Sequence, residues 1–343
     1  MSSLNPKIKT AVFEMPVYSQ GLRKFLLIRF SSIGDIVLTT ALIRCLRKKF
    51  PEAEIRFLTK KSFVPLLLNN PYLDGVIGME KELSEVKPII RAWKPDQIID
   101  LHSNLRSGLL KISLGLPSAT IPKFSFKRWI MVQTQKRKAI PHINERYFSV
   151  VKKFGVEYDA QGLDYYFLEA ENNLLAWFQS LQLSDFDVWV IGATHFTKRL
   201  PEQKVMEGIK LRNRKVILVG GQNEQAAGER IAAACPELAL NFCGKTNYDQ
   251  TAYLIKQSTL VFSNDTGFMH IAAALKKKIV SFWGGTVPEL GMTALLPNEM
   301  NEAVIIQNNE IPCRPCSKIG KSECPLKHFH CMEQLDMHAI KDC

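Results

Sequence analysis

No stretch of this chain stays apolar for the ~20 residues that a membrane-spanning helix needs, and runs such as "KVILVGG" stop well short of it. The opening residues "MSSLNPKIKTAVFEMPVYSQGLRK" lack a long apolar core followed by a small-residue cleavage site, which argues against a secretory signal and for a cytoplasmic protein. In that compartment the eight cysteines are expected to be thiols. There is no low-complexity segment and no short-period repeat. None of "GGQNE", "FWGGTVPE" or "RFSSIGD" spells G-x-G-x-x-G or a Walker loop, so a nicotinamide dehydrogenase or a P-loop enzyme has little support. Acid is scarce beside base: 33 Asp and Glu against 45 Lys and Arg leave a formal charge of +12. That balance favours anionic partners, whether nucleic acid, an acidic membrane surface or phosphorylated small molecules.

What is present reads as an ordinary globular protein, 46% apolar and 23% charged, and its 343 residues exceed what one hydrophobic core supports. From Lys24, "KFLLIRF" is a buried strand, and "DIVLTTALIRCLRKKF" sets Leu38, Ala41, Leu42, Cys45 and Leu46 at helical spacing, ending in a basic turn before Pro51. The strands "EIRFLT", "GVIGM" and "QIIDLHS" then alternate with helices around "LSEVKPIIRAW" and "LRSGLLKISLG". A second series follows "EAENNLLAWFQSLQLSDFD", with strands "VWVIGAT", "KVILVGG", "LNFCG", "TLVFSND" and "KIVSFWG". Strands separated by helices predict an α/β protein of two doubly wound, Rossmann-like domains facing each other across a cleft. The boundaries expected are residues 1–175 for an acceptor-side N-terminal domain and 176–325 for a nucleotide-binding C-terminal domain. A short tail, 326–343, is expected to pack back on the N-terminal domain. Ligands in such sheets bind beyond the carboxyl ends of the strands.

The second half carries the clearest chemistry. "FSNDTGFMHIAAAL" is a strand, then Asp265, Thr266 and Gly267 at a helix start, then His270 one turn in. Free backbone N–H groups and a hydroxyl at that end of a helix suit a phosphate, or else Asp265 or Thr266 only caps the helix and His270 packs in the core. "GATHFTKRLPEQ" follows another strand of the same sheet and adds Thr194, Thr197, Lys198 and Arg199. Parallel strands end on one side, so these groups converge with the Asp-Thr-Gly turn on a diphosphate.

Taken in order, "RFSSIGDIVLTTALIRCLRKKFP", the "KRLP" segment, "SNDTGFMHIAAAL" and "FWGGTVPE" before a Cys-rich tail resemble the heptosyltransferases of lipopolysaccharide core assembly, glycosyltransferase family 9. The resemblance implies a GT-B architecture and inverting transfer of a heptose from ADP-heptose to a lipid A and Kdo core. It implies Asp35 as catalytic base, Lys198 on the donor diphosphate, and Asp265, Thr266, Gly267 and His270 in the donor pocket. It requires no cofactor, and no D-x-D pair is assigned to a metal-bound nucleotide. The macrodipole of the helix that Asp35 opens would keep its carboxylate ionised. A family member moving another sugar or using another acceptor is the first alternative, and a binder of sugar nucleotides without turnover is another.

On the acceptor side the candidates are Ser32, Lys123, Lys127 and Arg128, the last three within the basic, aromatic stretch "PKFSFKRWIMVQTQKRK". Such a stretch holds the phosphates of a lipid-linked oligosaccharide acceptor, rests peripherally on the anionic cytoplasmic face of the inner membrane, or is a plain solvated helix. In the tail, Cys313, Cys316, Cys324 and Cys331, with His328 and His330 nearby, partly match a structural zinc site, although the second pair is spaced by six residues. Those cysteines and the charge motivate a rival of a different class, a zinc-containing nucleic-acid-binding protein, which leaves the two sheets and the Asp-Thr-Gly turn unexplained. The reading adopted expects no nucleic-acid partner.

Overall fold

A computed structural model describes residues 21–300, 302–341 and 343. The reading of residues 1–24 as free of a secretory signal falls outside the described residues up to position 20.

The first sheet holds β1 (Lys24–Ile28), β2 (Glu54–Lys60), β3 (Gly75–Met79), β4 (Gln97–Asp100) and β5 (Ser118–Thr120). All its strands are parallel, in the order β3-β2-β1-β4-β5. Around it run α1 (Ile33–Val37), α2 (Thr40–Lys49), α3 (Lys87–Trp93), α4 (Leu105–Leu114), α5 (Ser125–Thr134) and α6 (Ile143–Val151). After α7 (Glu171–Ser180) the second half alternates β6 (Phe186–Val190), α8 (Glu202–Arg212), β7 (Lys215–Val219), α9 (Gln225–Ala234), β8 (Ala239–Asn241), α10 (Tyr248–Gln257), β9 (Val261–Asn264), α11 (Gly267–Ala274), β10 (Ile279–Trp283) and β11 (Ala303–Gln307). These strands are also parallel, in the order β11-β10-β9-β6-β7-β8. The chain order reverses between β1 and β4 in one sheet and between β6 and β9 in the other. Those reversals open a crevice at the strand ends, where ligands of doubly wound sheets bind.

All nine strands read from the sequence are present, seven of them shorter, "GVIGM" with the same bounds and "EIRFLT" longer by Lys60. The edge strands β5 and β11 were not legible; β5 is three polar or small residues after Pro117, too short to carry a pattern. The single helix expected from Asp35 to Phe50 is two. The Thr39 and Thr40 hydroxyls bond back to the carbonyls of Ile36 and Val37, both at 2.7 Å, and break the helical ladder between α1 and α2.

Two domain expectations change. A boundary at 175 would cut α7, whose Phe178 packs on Phe186 and Tyr253 of the second half. The tail packs on the second sheet rather than on the N-terminal domain: α12 (His330–Glu333) and the turn Met337–Ile340 bury Met332, Met337 and Ile340 in one cluster with Trp189 and Phe262. Gly208 of α8 makes room for this, since a Cβ there would stand 2.5 Å from Trp189 and 2.8 Å from Met337. An apolar tail completes the core of the domain to which its own strand β11 belongs.

Candidate active site

Both reversals open into one cleft of about 660 Å³ lined by residues of both halves. The two halves touch at its floor, where the start of α1 meets the start of α11. A Cβ on Gly34 would lie 2.6 Å from His270 Cδ2 and 3.2 Å from Gly267 Cα, and one on Gly267 would lie 2.8 Å from Ile33 Cβ. Only glycine at both positions lets two helix ends from different domains come this close.

Asp35 is the third residue of α1, with Ser32 as N-cap. Its carboxylate faces the cleft, one oxygen 2.6 Å from Arg29 Nη2 and the other accepting from the Ser32 hydroxyl at 2.9 Å and the Ser32 amide at 3.3 Å. Burial pushes its pKa up, but Arg29 and then the Ser32 donors outweigh burial and hold it below the ordinary carboxylate value. The Arg29 guanidinium is itself fixed, donating to the carbonyls of Ser31 at 2.7 Å and Leu101 at 2.8 Å. So the helix end invoked from the sequence is helped by a cation that the sequence reading missed. Ser32, expected on the acceptor side, lines the cleft but spends its hydroxyl orienting Asp35.

Across the cleft, Lys198 Nζ stands 2.7 Å from Asp265, whose carboxylate also accepts from the Thr286 hydroxyl at 2.8 Å. Asp265 is therefore a holder of Lys198. Thr266 is the N-cap of α11 and makes no side-chain cap bond, which leaves its hydroxyl and the first amides of an eight-residue helix open at the cleft, where Thr194 and Gly267 also lie. His270 is buried, and burial pushes its pKa down to about 4, so it is neutral and packs on Gly34. Asn264, not singled out from the sequence, ties the two loops together. Its oxygen accepts from the Leu200 amide at 3.0 Å, and its amide donates to the carbonyls of Val190, Ile191 and Gly192 at 3.1–3.3 Å. An Asn at the end of a buried strand was the available signal.

Two expected residues do not belong to the cleft. Thr197 is buried with its hydroxyl accepting from the Lys321 amide at 2.8 Å; the middle of the turn Phe196–Lys198 points it at the tail loop. Lys127 lies over the Phe124 ring at 5.3 Å, because the turn of α5 that brings Ser125 and Arg128 to the cleft turns Lys127 away. Lys123 and Arg128 do line it, joined by Arg29 and Arg146. Burial, then neighbouring Arg128, push the Arg146 pKa down to about 10, and burial lowers those of Lys123 and Arg128 as well. The Arg128 Nε is buried and unpartnered among the described residues, while its Nη2 donates to the Lys318 carbonyl of the other half at 2.9 Å. Four cations facing one carboxylate make this half of the cleft an anion site. Arg146 was readable in hindsight: it interrupts the apolar face of α6 formed by Ile143, Tyr147 and Val150.

A profile for glycosyltransferase family 9 (heptosyltransferase) matches residues 86–327, most of the chain. The chain belongs to that family. This glycosyltransferase is 24% identical over 300 residues to lipopolysaccharide heptosyltransferase 2 of Escherichia coli, covering 78% of this chain and 84% of that one. It is 26% identical over 326 residues to lipooligosaccharide heptosyltransferase 2 of Campylobacter jejuni, covering 88% and 91%. Its fold is similar to the solved ADP-heptose heptosyltransferase II of Escherichia coli, with a TM-score of 0.66 at 21% identity over 93% of this chain and all of that one. The GT-B arrangement of two facing domains is thus common to both, and the nucleic-acid-binding alternative is not favoured.

In this family 9 enzyme Cys313, Cys316, Cys324 and Cys331 border one small cavity apart from the cleft, with Cys313 Sγ 3.8 Å from His328 Nε2. All eight cysteines are free. Among the described residues no three His, Cys, Asp or Glu side chains stand close enough together to hold a metal, so the zinc arrangement expected from the spacing is not formed here. The triplet Asp185-Phe186-Asp187, the chain's one D-x-D, opens β6 at the end of the sheet away from the cleft, and Asp187 pairs with Arg212 at 3.1 Å. It is not placed to hold a nucleotide's metal.

Proposed function

We propose that this enzyme moves a heptose from ADP-heptose to the Kdo and heptose core of a lipid A acceptor, with inversion at the anomeric carbon. One observation carries the reading: a carboxylate from one domain and a lysine with a helix start from the other face each other in a single cleft. The donor diphosphate binds the second half, on Lys198, the Thr194 and Thr266 hydroxyls and the first amides of α11. Arg128, Arg146 and Lys123 take the carboxylates or phosphates of the acceptor.

In the reaction an acceptor hydroxyl oxygen attacks the anomeric carbon from the face opposite ADP. The bond from that carbon to the phosphate oxygen breaks, and ADP leaves with its electron pair as an anion met by Lys198. The hydroxyl proton passes to Asp35. With its basicity lowered by Arg29, Asp35 accepts the proton late, as bond formation makes the hydroxyl acidic, and Arg29 with Ser32 keeps the carboxylate ionised and aimed beforehand. The leaving group needs no protonated acid and the diphosphate needs no divalent metal. No helix of the described residues is long and apolar enough to cross a membrane; we place the enzyme in the cytoplasm, working at the inner face of the membrane that holds its acceptor.

The test is a panel of nucleotide sugars offered with a Kdo–lipid A acceptor, reading nucleotide release and product mass. ADP-heptose should be consumed and the acceptor should gain one heptose. Transfer of a different sugar, with ADP-heptose left intact, would overturn the assignment.

A further inference from the structure

Between Leu101 and Asn144 the chain carries eight Lys and Arg and no Asp or Glu, a formal +8 out of the chain's +12. This segment forms α4 and α5, and both helices begin at the cleft, where Asn104, Ser125 and Arg128 line it. Their inner faces are packed through Ser107, Leu110 and Met131. Their outer faces are apolar and bare. On α4, Leu105, Leu109 and Ile112 are 82%, 51% and 80% exposed at i, i+4 and i+7, one face over two turns. On α5, Phe126, Trp129 and Ile130 are 70%, 49% and 38% exposed, with the two aromatic rings stacked at 6.1 Å. Six of the fifteen large apolar side chains exposed among the described residues thus lie on two consecutive helices beside the site, amid an excess of positive charge of which Lys111 is paired, 2.7 Å from Asp100.

Resting on the lipid-anchored acceptor proposed above, we propose that the outer faces of α4 and α5 dock the enzyme on an anionic lipid bilayer. Protruding Leu, Ile, Phe and Trp side chains enter the boundary between headgroups and acyl chains, and the surrounding Lys and Arg meet anionic headgroups. Nucleic acid would use the charge but leaves Leu105 and Ile112 bare, and the residues stand out from convex helices instead of lining a groove for a peptide. Docking here sets the mouth of the cleft against the surface from which a lipid-borne sugar projects, so the acceptor reaches Asp35 without its acyl chains leaving the bilayer.

The full chain is mixed with phosphatidylethanolamine–phosphatidylglycerol vesicles and, separately, with phosphatidylcholine vesicles, and the sedimented fraction is measured at low and high salt. Two surface variants are compared with the parent, Leu105→Ser with Ile112→Ser, and Phe126→Ser with Trp129→Ser; each single substitution serves where a pair lowers the thermal midpoint. The parent should bind the anionic vesicles, release them as salt rises, and shift its Trp129 fluorescence to the blue. The variants should bind about tenfold or more weakly. They should lose transfer to vesicle-embedded acceptor through KM, yet keep parent activity on a deacylated, water-soluble acceptor. Equal parent binding to both vesicles, no vesicle binding, parent-like binding by the variants, or self-association or nucleic-acid binding through this face in place of vesicle binding would each overturn the proposal. A parent that binds the anionic vesicles through these residues but glycosylates neither acceptor supports the docking surface and sinks the assigned reaction instead.

Discussion

Lys198 is the group whose removal isolates donor binding. It reaches the cleft with 16% of its side chain exposed and is held 2.7 Å from Asp265. A charge-assisted contact to a diphosphate is worth ~1.5–3 kcal/mol, so Lys198→Ala should weaken ADP and ADP-sugar binding by roughly ten- to a hundredfold in a calorimetric titration. Pairing it with Asp265→Asn avoids leaving a buried carboxylate without its cation, and unchanged affinity in that double variant would remove Lys198 from the site. His270 makes a separate prediction in pH. Its folded pKa is about 4 against an ordinary 6.5, pushed down by burial. Between those values the unfolded chain binds the extra proton, so this contribution to stability is present above pH 6.5 and is lost as pH falls toward 4, by an amount of roughly 3 kcal/mol. His102, also lowered to about 4, acts in the same direction. The thermal midpoint should drop across that window, and less steeply in His270→Gln; parallel slopes would show that His270 does not titrate this way. That Asp35, Lys198 and the Asp-Thr-Gly turn lie at the cleft was legible, because they sit in strand-end loops before helices and on segments that resemble the family. Arg29, Arg146 and Asn264 were not singled out, because their roles depend on a side chain curling back onto a neighbouring loop.

Helices α1 and α11 are the elements that bring the two domains together, and the fit at Gly34 sets their approach. Alanine there meets the His270 ring at 2.6 Å and backbone at 3.2 Å, and the backbone contact cannot rotate away. Gly34→Ala should push Asp35 out of line with the donor, and a misplacement near 1 Å can cost ~10²-fold in rate. ADP affinity should fall far less than turnover, because the proposed donor partners lie in the second half and, of them, only the start of α11, at Gly267, meets the added Cβ. A variant with parent kcat would show that this crossing does not set the catalytic geometry. At this scale the sequence announced strands and helices through period and punctuation. It hid the break at Thr39 and Thr40, since hydroxyl bonds to the preceding turn leave the apolar spacing intact. It also hid the course of the tail, whose Met332, Met337 and Ile340 read as apolar residues with no stated partner until Gly208 and Trp189 are seen to receive them.

For the molecule as a whole, the proposed reaction divides the work across the two-domain cleft: the second half would hold and neutralise the donor, the first would hold the acceptor and take the proton, and closing the cleft would exclude water from both. The two sheets and their cleft followed from alternation alone, whereas the match of the Asp35 carboxylate on one side to cations on both sides needed three dimensions. With Lys198 and the α11 amides meeting the diphosphate as proposed, EDTA should leave most turnover intact. Loss of activity that magnesium restores without any change in fold would contradict this division, and loss with unfolding would point to the cysteine-lined cavity as a structural metal site. The most direct test of the account is turnover of Asp35→Asn with ADP-heptose and acceptor both saturating, alongside ADP binding. General-base help is worth ~10²–10⁴-fold, so kcat should fall by about that factor while ADP affinity holds and the enzyme stays folded at the assay temperature, its thermal midpoint lowered by the loss of the Arg29 partner. An Asp35→Asn enzyme within a few-fold of the parent kcat would contradict the account, leaving Asp35 as no more than the charge that anchors Arg29.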